Sequence, residues 1–303
     1  MELRHLRYFV AVAEEGHVTR AAERLGIQQP PLSQQIKALE TELNVRLFRR
    51  KPRGVDLTEA GRALFESTRD IFERLDQACE RSRRAARGEL GELSIGISST
   101  AHFCPLVPRI VRAFRDAFPG VAIRLREGGT GDLIAQTEGG VVDLAFVRRL
   151  IAPMRELTAV HLLDEPMIAA LPAGHPLSRR KHPKGGIPLR ALAEETFVLY
   201  RSPEGPGLTE AIIAACSAAG FNPRLGQEAP RPASALNFVA AGHGITIVPQ
   251  SLQRMQLDGV AYHRLTGMDF RAPLNLIRRR HDAAPVVMRF LKVAQEAARE
   301  RQD

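Results

Sequence analysis

Apolar residues recur through the first 45 positions at steps of three and four, the period of an α-helix with one buried face. Leu3, Leu6, Phe9, Val10 and Ala13 make one such stripe and predict a first helix ending near Gly16. Ala21, Ala22 and Leu25 make a second, followed by Gly26 where a helix C-cap favours glycine. Gln28-Gln29-Pro30-Pro31 then opens a third helix with the stripe Leu32, Ile36, Leu39 and Leu43, proline being tolerated where first-turn N–H groups lack intrahelical partners. The short turn centred on Gly26-Ile27 has the spacing of a helix-turn-helix. Leu47-Phe48 and Val55-Asp56-Leu57 bracket a basic turn, which predicts a small β-hairpin wing.

From Glu59 to about Arg87 an unbroken helical pattern sets Ala60, Leu64, Ser67, Ile71, Leu75, Ala78, Ser82 and Ala85 at steps of three and four, a heptad seam flanked by charges. Such a helix is roughly 40 Å long, more than a ~60-residue domain can cover. A dimerising linker, with Leu64, Ile71, Leu75 and Ala78 in the seam, fits this length; an amphipathic core helix is the alternative. Gly88-Glu89-Leu90-Gly91 breaks the pattern. Beyond it, strands at 93–97, 121–125 and 141–147 alternate with helices at 105–118 and 131–138, the signature of a parallel sheet with helices on both faces. Further strands are expected at 158–163, 167–171, 197–200, 245–248, 261–265 and 274–278, and helices at 207–219, 232–241 and 284–300. The expected fold class is therefore α/β, with an all-α winged helix-turn-helix at residues 1–58, a linker helix at 59–88 and an α/β domain at 89–303.

Composition narrows this little: 303 residues with 44% hydrophobic and 25% charged positions suit a globular chain of two or three domains. Cys79, Cys104 and Cys216 show no disulfide or CxxC spacing, which suggests a reducing compartment. MELRHLRYFV lacks the apolar run of a signal peptide and no membrane-length apolar stretch follows, so a cytoplasmic location is expected. The formal charge of +9 is spread out, residues 1–90 holding 17 Lys and Arg against 14 Asp and Glu. Only the run Arg46, Arg49, Arg50, Lys51 and Arg53 stands out locally.

That run follows a helix whose outward face carries Gln29, Ser33, Gln34 and Lys37, donors suited to base edges and phosphates. Together with Gln28, Pro30 and Pro31 at the helix start, and Arg50 and Arg53 on the wing, these are the candidate contacts to double-stranded DNA. Solvated polar surface is the alternative for each feature taken alone.

Ligands of open α/β sheets bind beyond the carboxyl ends of strands, and three such ends here are polar. They run into Ser98-Ser99-Thr100, into Glu127-Gly128-Gly129-Thr130-Gly131, and into Arg148-Arg149. Hydroxyls, helix N-terminal N–H groups and a guanidinium suit a small organic anion. Read singly, Ser99 and Thr130 are equally suited to helix capping and Arg148 to solvent; their convergence favours a site. The dispersed histidines, His175 and His182 being the closest pair, show no metal-ligand spacing, and no nucleophile elbow, P-loop or dinucleotide fingerprint occurs. No catalytic constellation, metal or cofactor is expected. Arg278-Arg279-Arg280 reads as a solvated strand edge.

The chain resembles the LysR-type transcriptional regulators through Leu6-Arg7-Tyr8-Phe9, Ala21-Ala22-Glu23-Arg24-Leu25, Gln29-Pro30-Pro31-Leu32-Ser33, Ile36-Lys37-Ala38-Leu39-Glu40, Leu47-Phe48-Arg49-Arg50 and Leu57-Thr58-Glu59-Ala60-Gly61. Gln34 stands where many members carry arginine, which shifts the expected phosphate affinity toward Lys37 and the wing. The resemblance implies a periplasmic-binding-protein-like effector domain with crossings near His161–Glu165 and Leu265–Phe270. Its lobe I would span about 92–163 and 267–303, and its lobe II about 164–266. The chain is similar to the aromatic-catabolism subgroup, responsive to muconate or benzoate. That implies effector contacts from Ser98, Ser99, Thr130 and Arg148, and from the loop ending in Pro206, Gly207 and Leu208. A dimer of dimers is implied, with RNA polymerase as a candidate partner and no membrane association. A ligand-modulated DNA-binding regulator thus explains both halves. The alternative is a solute-binding-protein-like sensor without a direct DNA role.

Overall fold

The three apolar stripes fold as α1 (Leu3–Glu15), α2 (Val18–Leu25) and α3 (Gln29–Leu43) in a computed structural model that describes residues 1–148, 156–180, 185–200, 207–282 and 284–300. Phe9, Val12, Ala21, Ala22, Leu32, Leu39 and Leu47 are buried together as their common core. Each helix ends at a residue in the left-handed region, Gly16, Gly26 and Asn44. The wing follows as β1 (Phe48–Lys51) paired antiparallel with β2 (Gly54–Leu57). Gly54 has φ +136°, and a Cβ there would lie 2.3 Å from the Gly16 carbonyl oxygen. Only glycine lets the wing approach the end of α1 this closely, and the Val55 N–H then donates to the same carbonyl at 2.9 Å.

Glu40 of α3 fixes the wing from the other side. Its carboxylate accepts the backbone N–H groups of Leu47 at 2.8 Å and Phe48 at 3.2 Å. Thr58 begins α4 (Glu59–Ala86): its hydroxyl accepts the Gly61 N–H at 3.0 Å and donates to the Arg46 carbonyl at 2.6 Å. Gly61 is buried, and a Cβ on it would stand 2.1 Å from the Leu47 carbonyl oxygen. The first turns of α4 are therefore welded to the wing, with Leu64 and Phe65 against the helix-turn-helix core. From Arg69 to Arg83 no residue of α4 is fully buried, and Ile71 is 43% exposed.

The chain divides into two compact units, Met1–Arg83 and Arg84–Asp303. In the second, β3 (Gly91–Ser98), α5 (Leu106–Ala117), β4 (Val121–Gly128), α6 (Thr130–Glu138) and β5 (Leu144–Val147) alternate as the pattern predicts, and the three strands are parallel. The rest departs from a parallel sheet. The segments expected as two strands at 158–163 and 167–171 form one, β6 (Leu157–Pro172). Its first part pairs antiparallel with β12 (Arg271–Arg279), and its last residues pair with β10 (Thr246–Pro249) and β11 (Val260–Thr266). Pro166 stands where the strand exchanges partners, a ladder end at which a missing N–H is tolerated.

The second lobe continues through α7 (Pro176–Arg179), β7 (Ile187–Pro188), β8 (Thr196–Tyr200), α8 (Leu208–Ala218), β9 (Arg224–Ala229) and α9 (Pro232–Ala240). The last helix, α10 (Pro285–Arg299), packs Val287, Phe290, Leu291 and Ala294 into the first lobe's core. The order β4-β3-β5-β12-β6-β11-β7 runs through both lobes, each with its own apolar cluster. Strand β9 pairs with β8 alone and is exposed except at Ala229, so it carries no apolar alternation to reveal it. Cys104 and Cys216 are buried and free, and burial pushes the Cys216 thiol up to about 11. Among the described residues no helix is long and apolar enough to cross a membrane.

Removing the Glu40 carboxylate leaves two partly buried backbone donors unsatisfied. Glu40→Ala is expected to destabilise the first unit by about 2 kcal/mol, read as a lowered urea midpoint, with Glu40→Gln recovering part of the loss.

Candidate functional site

The exposed face of α3 is polar because its stripe of Leu32, Ile36 and Leu39 is buried on the opposite side. Gln28 is the N-cap and uses no side-chain cap bond; Pro30 and Pro31 lie in the exposed first turn. Gln29 Nε2 donates to Ser33 Oγ at 2.8 Å, which orders both side chains on that face. Gln34 and Lys37 are exposed beside them.

The wing sorts its five bases by geometry. Arg49 and Lys51 share one face of β1, and Asp56 lies opposite Arg49 in the ladder and pairs with both, at 3.3 Å for Arg49. The Asp56 carboxyl is held below the usual carboxylate range, first by its hydrogen bond from Lys51. Arg46 pairs with Glu40 at 3.2 Å. Arg50, on the other face of the strand, and Arg53, in the turn, are exposed and have no acidic partner among the described residues. These two guanidiniums are free for phosphate. Arg278 and Arg279, expected as a solvated edge, are instead tied down. Arg279 bonds the carbonyls of Thr137 and Val142 and pairs with Asp143 and Asp282, while Arg278 holds the carbonyls of Arg279 and Asp282. A strand-end arginine facing the open carbonyls after a helix is satisfied locally, which leaves only Arg280 of this run exposed.

In the second unit the strand ends meet as the topology requires. Ile97 of β3 pairs with Phe146 of β5, so in register Ser98 falls beside Val147 and Ser99 beside Arg148 at the ends of these neighbouring strands. Ser98 is buried and its hydroxyl has no partner. Ser99 is half-buried, and Thr130 is the first residue of α6, whose N-cap is Gly129; the nearby 3-10 turn Ala101–Phe103 is capped at Thr100. Neither Ser99 nor Thr130 occupies a cap position. Arg148 is only 1% exposed, against the expectation that it could be solvated. Its Nη2 lies 2.6 Å from Glu165 Oε2 and 3.3 Å from the Thr100 carbonyl, while Nε and Nη1 have no partner. Glu165 stands on β6 at the crossing, and its other oxygen accepts the Ser251 N–H from the second lobe.

From the second lobe, Gly207 caps α8 and donates its N–H to Glu210, so that group is engaged. Leu208 buries its side chain in the lobe's core, which leaves only its backbone for a ligand. Pro206 and Arg149 lie outside the described residues, as does His182. Tyr200, which the sequence reading omitted, ends β8 with its hydroxyl enclosed and unpartnered. Burial pushes this phenol well above its ordinary range, with the Arg148 charge opposing and Glu210 adding to the rise. It is a neutral donor at any physiological pH. The strand-end rule that singled out Ser98 and Arg148 applies equally to Tyr200. Glu165 had no such signal, since it lies in the break Asp164-Glu165-Pro166 between two apolar runs. Buried donors in native proteins are nearly all satisfied, so the unpaired nitrogens of Arg148, whose charge is felt at Tyr200, and the free hydroxyls of Ser98 and Tyr200 at strand ends are candidate donors to oxygen acceptors.

Residues 3–62 match the family model described as a bacterial regulatory helix-turn-helix protein of the lysR family, and residues 86–299 match the LysR substrate binding domain. The HTH-type transcriptional regulator BudR of Raoultella terrigena is 36% identical over 97% of this chain and 100% of its own length. The full-length CbnR structure complexed with its target DNA is 30% identical, covers 98% of this chain and 100% of that one, and superposes with a TM-score of 0.82. The BenM effector binding domain with its effector benzoate is 28% identical over 70% of this chain and 91% of that one, with a TM-score of 0.61.

Arg148→Ala strands the Glu165 carboxylate in the interior. A loss of about 3–5 kcal/mol is expected for the second unit by denaturant unfolding. The double variant Arg148→Met with Glu165→Gln buries no charge and should regain most of it; equal losses in the single and double variants would show that the ion pair is not the cause.

Proposed function

This chain belongs to the LysR family of transcriptional regulators, and we propose that its grip on promoter DNA is set by a small organic carboxylate, of the kind met in aromatic degradation, bound between the two lobes. The observation that carries the reading is the buried Arg148 guanidinium with two nitrogens unpartnered, in a domain where the strand-end hydroxyls of Ser98 and Tyr200 are unpartnered as well. A carboxylate satisfies such an arginine with charge-assisted hydrogen bonds, while Ser98, Ser99, Thr130 and Tyr200 supply donors around it. Benzoate in the BenM domain is of this chemical class. A sensor without a DNA role is not favoured, because the regulatory helix-turn-helix match covers residues 3–62.

On the DNA side, α3 enters the major groove with Gln29, Ser33 and Gln34 toward base edges, and Gln28, Pro30 and Pro31 set its entry. Lys37, Arg50 and Arg53 meet phosphates. Two half-sites require two copies, and the uncovered seam of Ile71, Leu75 and Ala78 is the surface that pairs them, Leu64 serving mainly its own domain's core. Pairs of such dimers place four helix-turn-helix units on one promoter, within reach of RNA polymerase. The carboxylate then acts by binding one arrangement of the assembly more tightly than another.

Two measurements test this. Fluorescence anisotropy on the gene's own upstream DNA should show Arg50→Ala and Arg53→Ala each weakening binding about tenfold and flattening the salt dependence by about one phosphate contact, with Arg280→Ala unchanged. Calorimetric titration with benzoate, muconate and chloromuconate should show binding to at least one, weakened about tenfold or more in Tyr200→Phe or Arg148→Met. No response to any of the three carboxylates, or one indifferent to both variants, overturns the effector assignment.

A further inference from the structure

The last turn of α4 runs into a glycine that is seated on the first lobe. Gly88 lies in the left-handed region at φ +70°. Its N–H donates to the Ala85 carbonyl and the Glu89 N–H to the Arg84 carbonyl, each at 2.9 Å, which closes the helix in a Schellman motif. A Cβ on Gly88 would stand 2.4 Å from the Val286 nitrogen at the start of α10, so only glycine brings the chain this close to that helix. Glu89 then gathers three guanidiniums: Arg87 at 2.9 Å, Arg289 of α10 at 3.3 Å and Arg84 at 3.7 Å. Arg289 also donates its Nε–H to the Arg87 carbonyl, and its guanidinium lies 5.0 Å from the centre of the Phe118 ring, just past α5. The neighbours of Arg289 in α10, Phe290 and Leu291, are buried in the first lobe's core, which anchors it there. The Glu89 carboxyl is held below the usual carboxylate range, first by its hydrogen bond from Arg87, and so is charged at any pH near neutrality. One exposed ion pair would hold little. Here a shared carboxylate, a backbone cap, a stacked guanidinium and a glycine contact act on a single turn of chain.

We propose that this cluster is a clamp that fastens the last turn of α4 to the first lobe, so that the linker helix follows the movements of that lobe. Every partner named comes from α10, from the residue after α5 or from the turn itself. A movement of the first lobe therefore reaches α4 through Glu89 and Arg289. Charge on a partly exposed surface supplies much of the hold, so salt loosens it. The clamp stands on these contacts alone; only the passage of a ligand signal through it rests on the effector reading above.

The test uses the full chain and variants placed outside the DNA face and the effector cleft. Hydrogen exchange read by mass spectrometry should show segment 84–90 exchanging about fivefold or more faster in Glu89→Gln and in Arg289→Gln, with β3 and the body of α10 unchanged. Arg289→Lys, which keeps the charge but not the planar fork, should recover part of the protection. Fluorescence transfer between the ends of the gene's own upstream DNA should report a narrower spread of bend angles with the wild-type chain than with either Gln variant. Muconate should bind the Glu89→Gln chain as tightly as the wild type, while its effect on DNA affinity falls about fivefold or more. Unchanged exchange at 84–90 in both Gln variants overturns the clamp. Faster exchange with an unaltered spread of bend angles overturns its hold on the movement of α4, and a ligand effect retained in Glu89→Gln overturns the passage of the ligand signal alone. A wild-type chain that binds no carboxylate counts against the effector reading instead, and exchange and bend spread then decide the clamp by themselves.

Discussion

Glu165 sits 2.6 Å from a guanidinium that has almost no solvent contact, in the middle of a strand that is otherwise largely apolar. Neither charge is stable there alone, since an uncompensated buried ion costs several kcal/mol. Each must therefore be held by the other, and the strand that carries Glu165 is shared by both lobes. Arg148 comes from the end of β5 in the first lobe, and Ser251 comes from the turn after β10 in the second. One carboxylate thus ties the end of β5, the crossing strand β6 and the turn after β10 together and fixes the orientation of the Arg148 guanidinium. Because Arg148 keeps two nitrogens unpaired, the same interaction that orders the interior also leaves two buried donors open.

The first unit uses charge differently. Its bases are on the surface, where paired ions contribute little to stability, and pairing instead decides which cations remain for a partner. Asp56 and Glu40 pair with three of the five wing bases, Asp56 being shared by two of them, and brace the hairpin while doing so. The remaining pair, Arg50 and Arg53, is separated from the braced ones by strand alternation and by the turn. A modest net charge is compatible with DNA binding because the free charge is localised rather than large.

What could be read before folding follows from how locally each feature is encoded. The helix-turn-helix announces itself through stripes such as Leu32, Ile36 and Leu39, and through Gly16, Gly26, Pro30 and Pro31, all signals within a few residues of their consequence. Arg148 and Ser98 were identifiable as strand ends, but whether Arg148 met solvent or an acid depended on Glu165, 17 positions away. The Asp164-Glu165-Pro166 break in hydrophobicity looked like the gap between two strands, when it marks one strand changing partners. Strand β9 lacked any pattern because an exposed edge imposes none. The number of α/β units in about 210 residues suggests two lobes, whereas the crossing points rest on family resemblance because periodicity does not mark them.

Gly61 and Thr58 allow no play between the wing and the start of α4. A rigid weld at one end of a helix of 28 residues makes it a lever arm of about 42 Å. Pivoted at its far end, such an arm turns a tilt of about 5° into a displacement of nearly 4 Å at the wing, roughly the rise of one base pair along a duplex. The absence of a side chain at Gly61 thus lets the wing and the helix turn as one body, with the length of the helix as the arm.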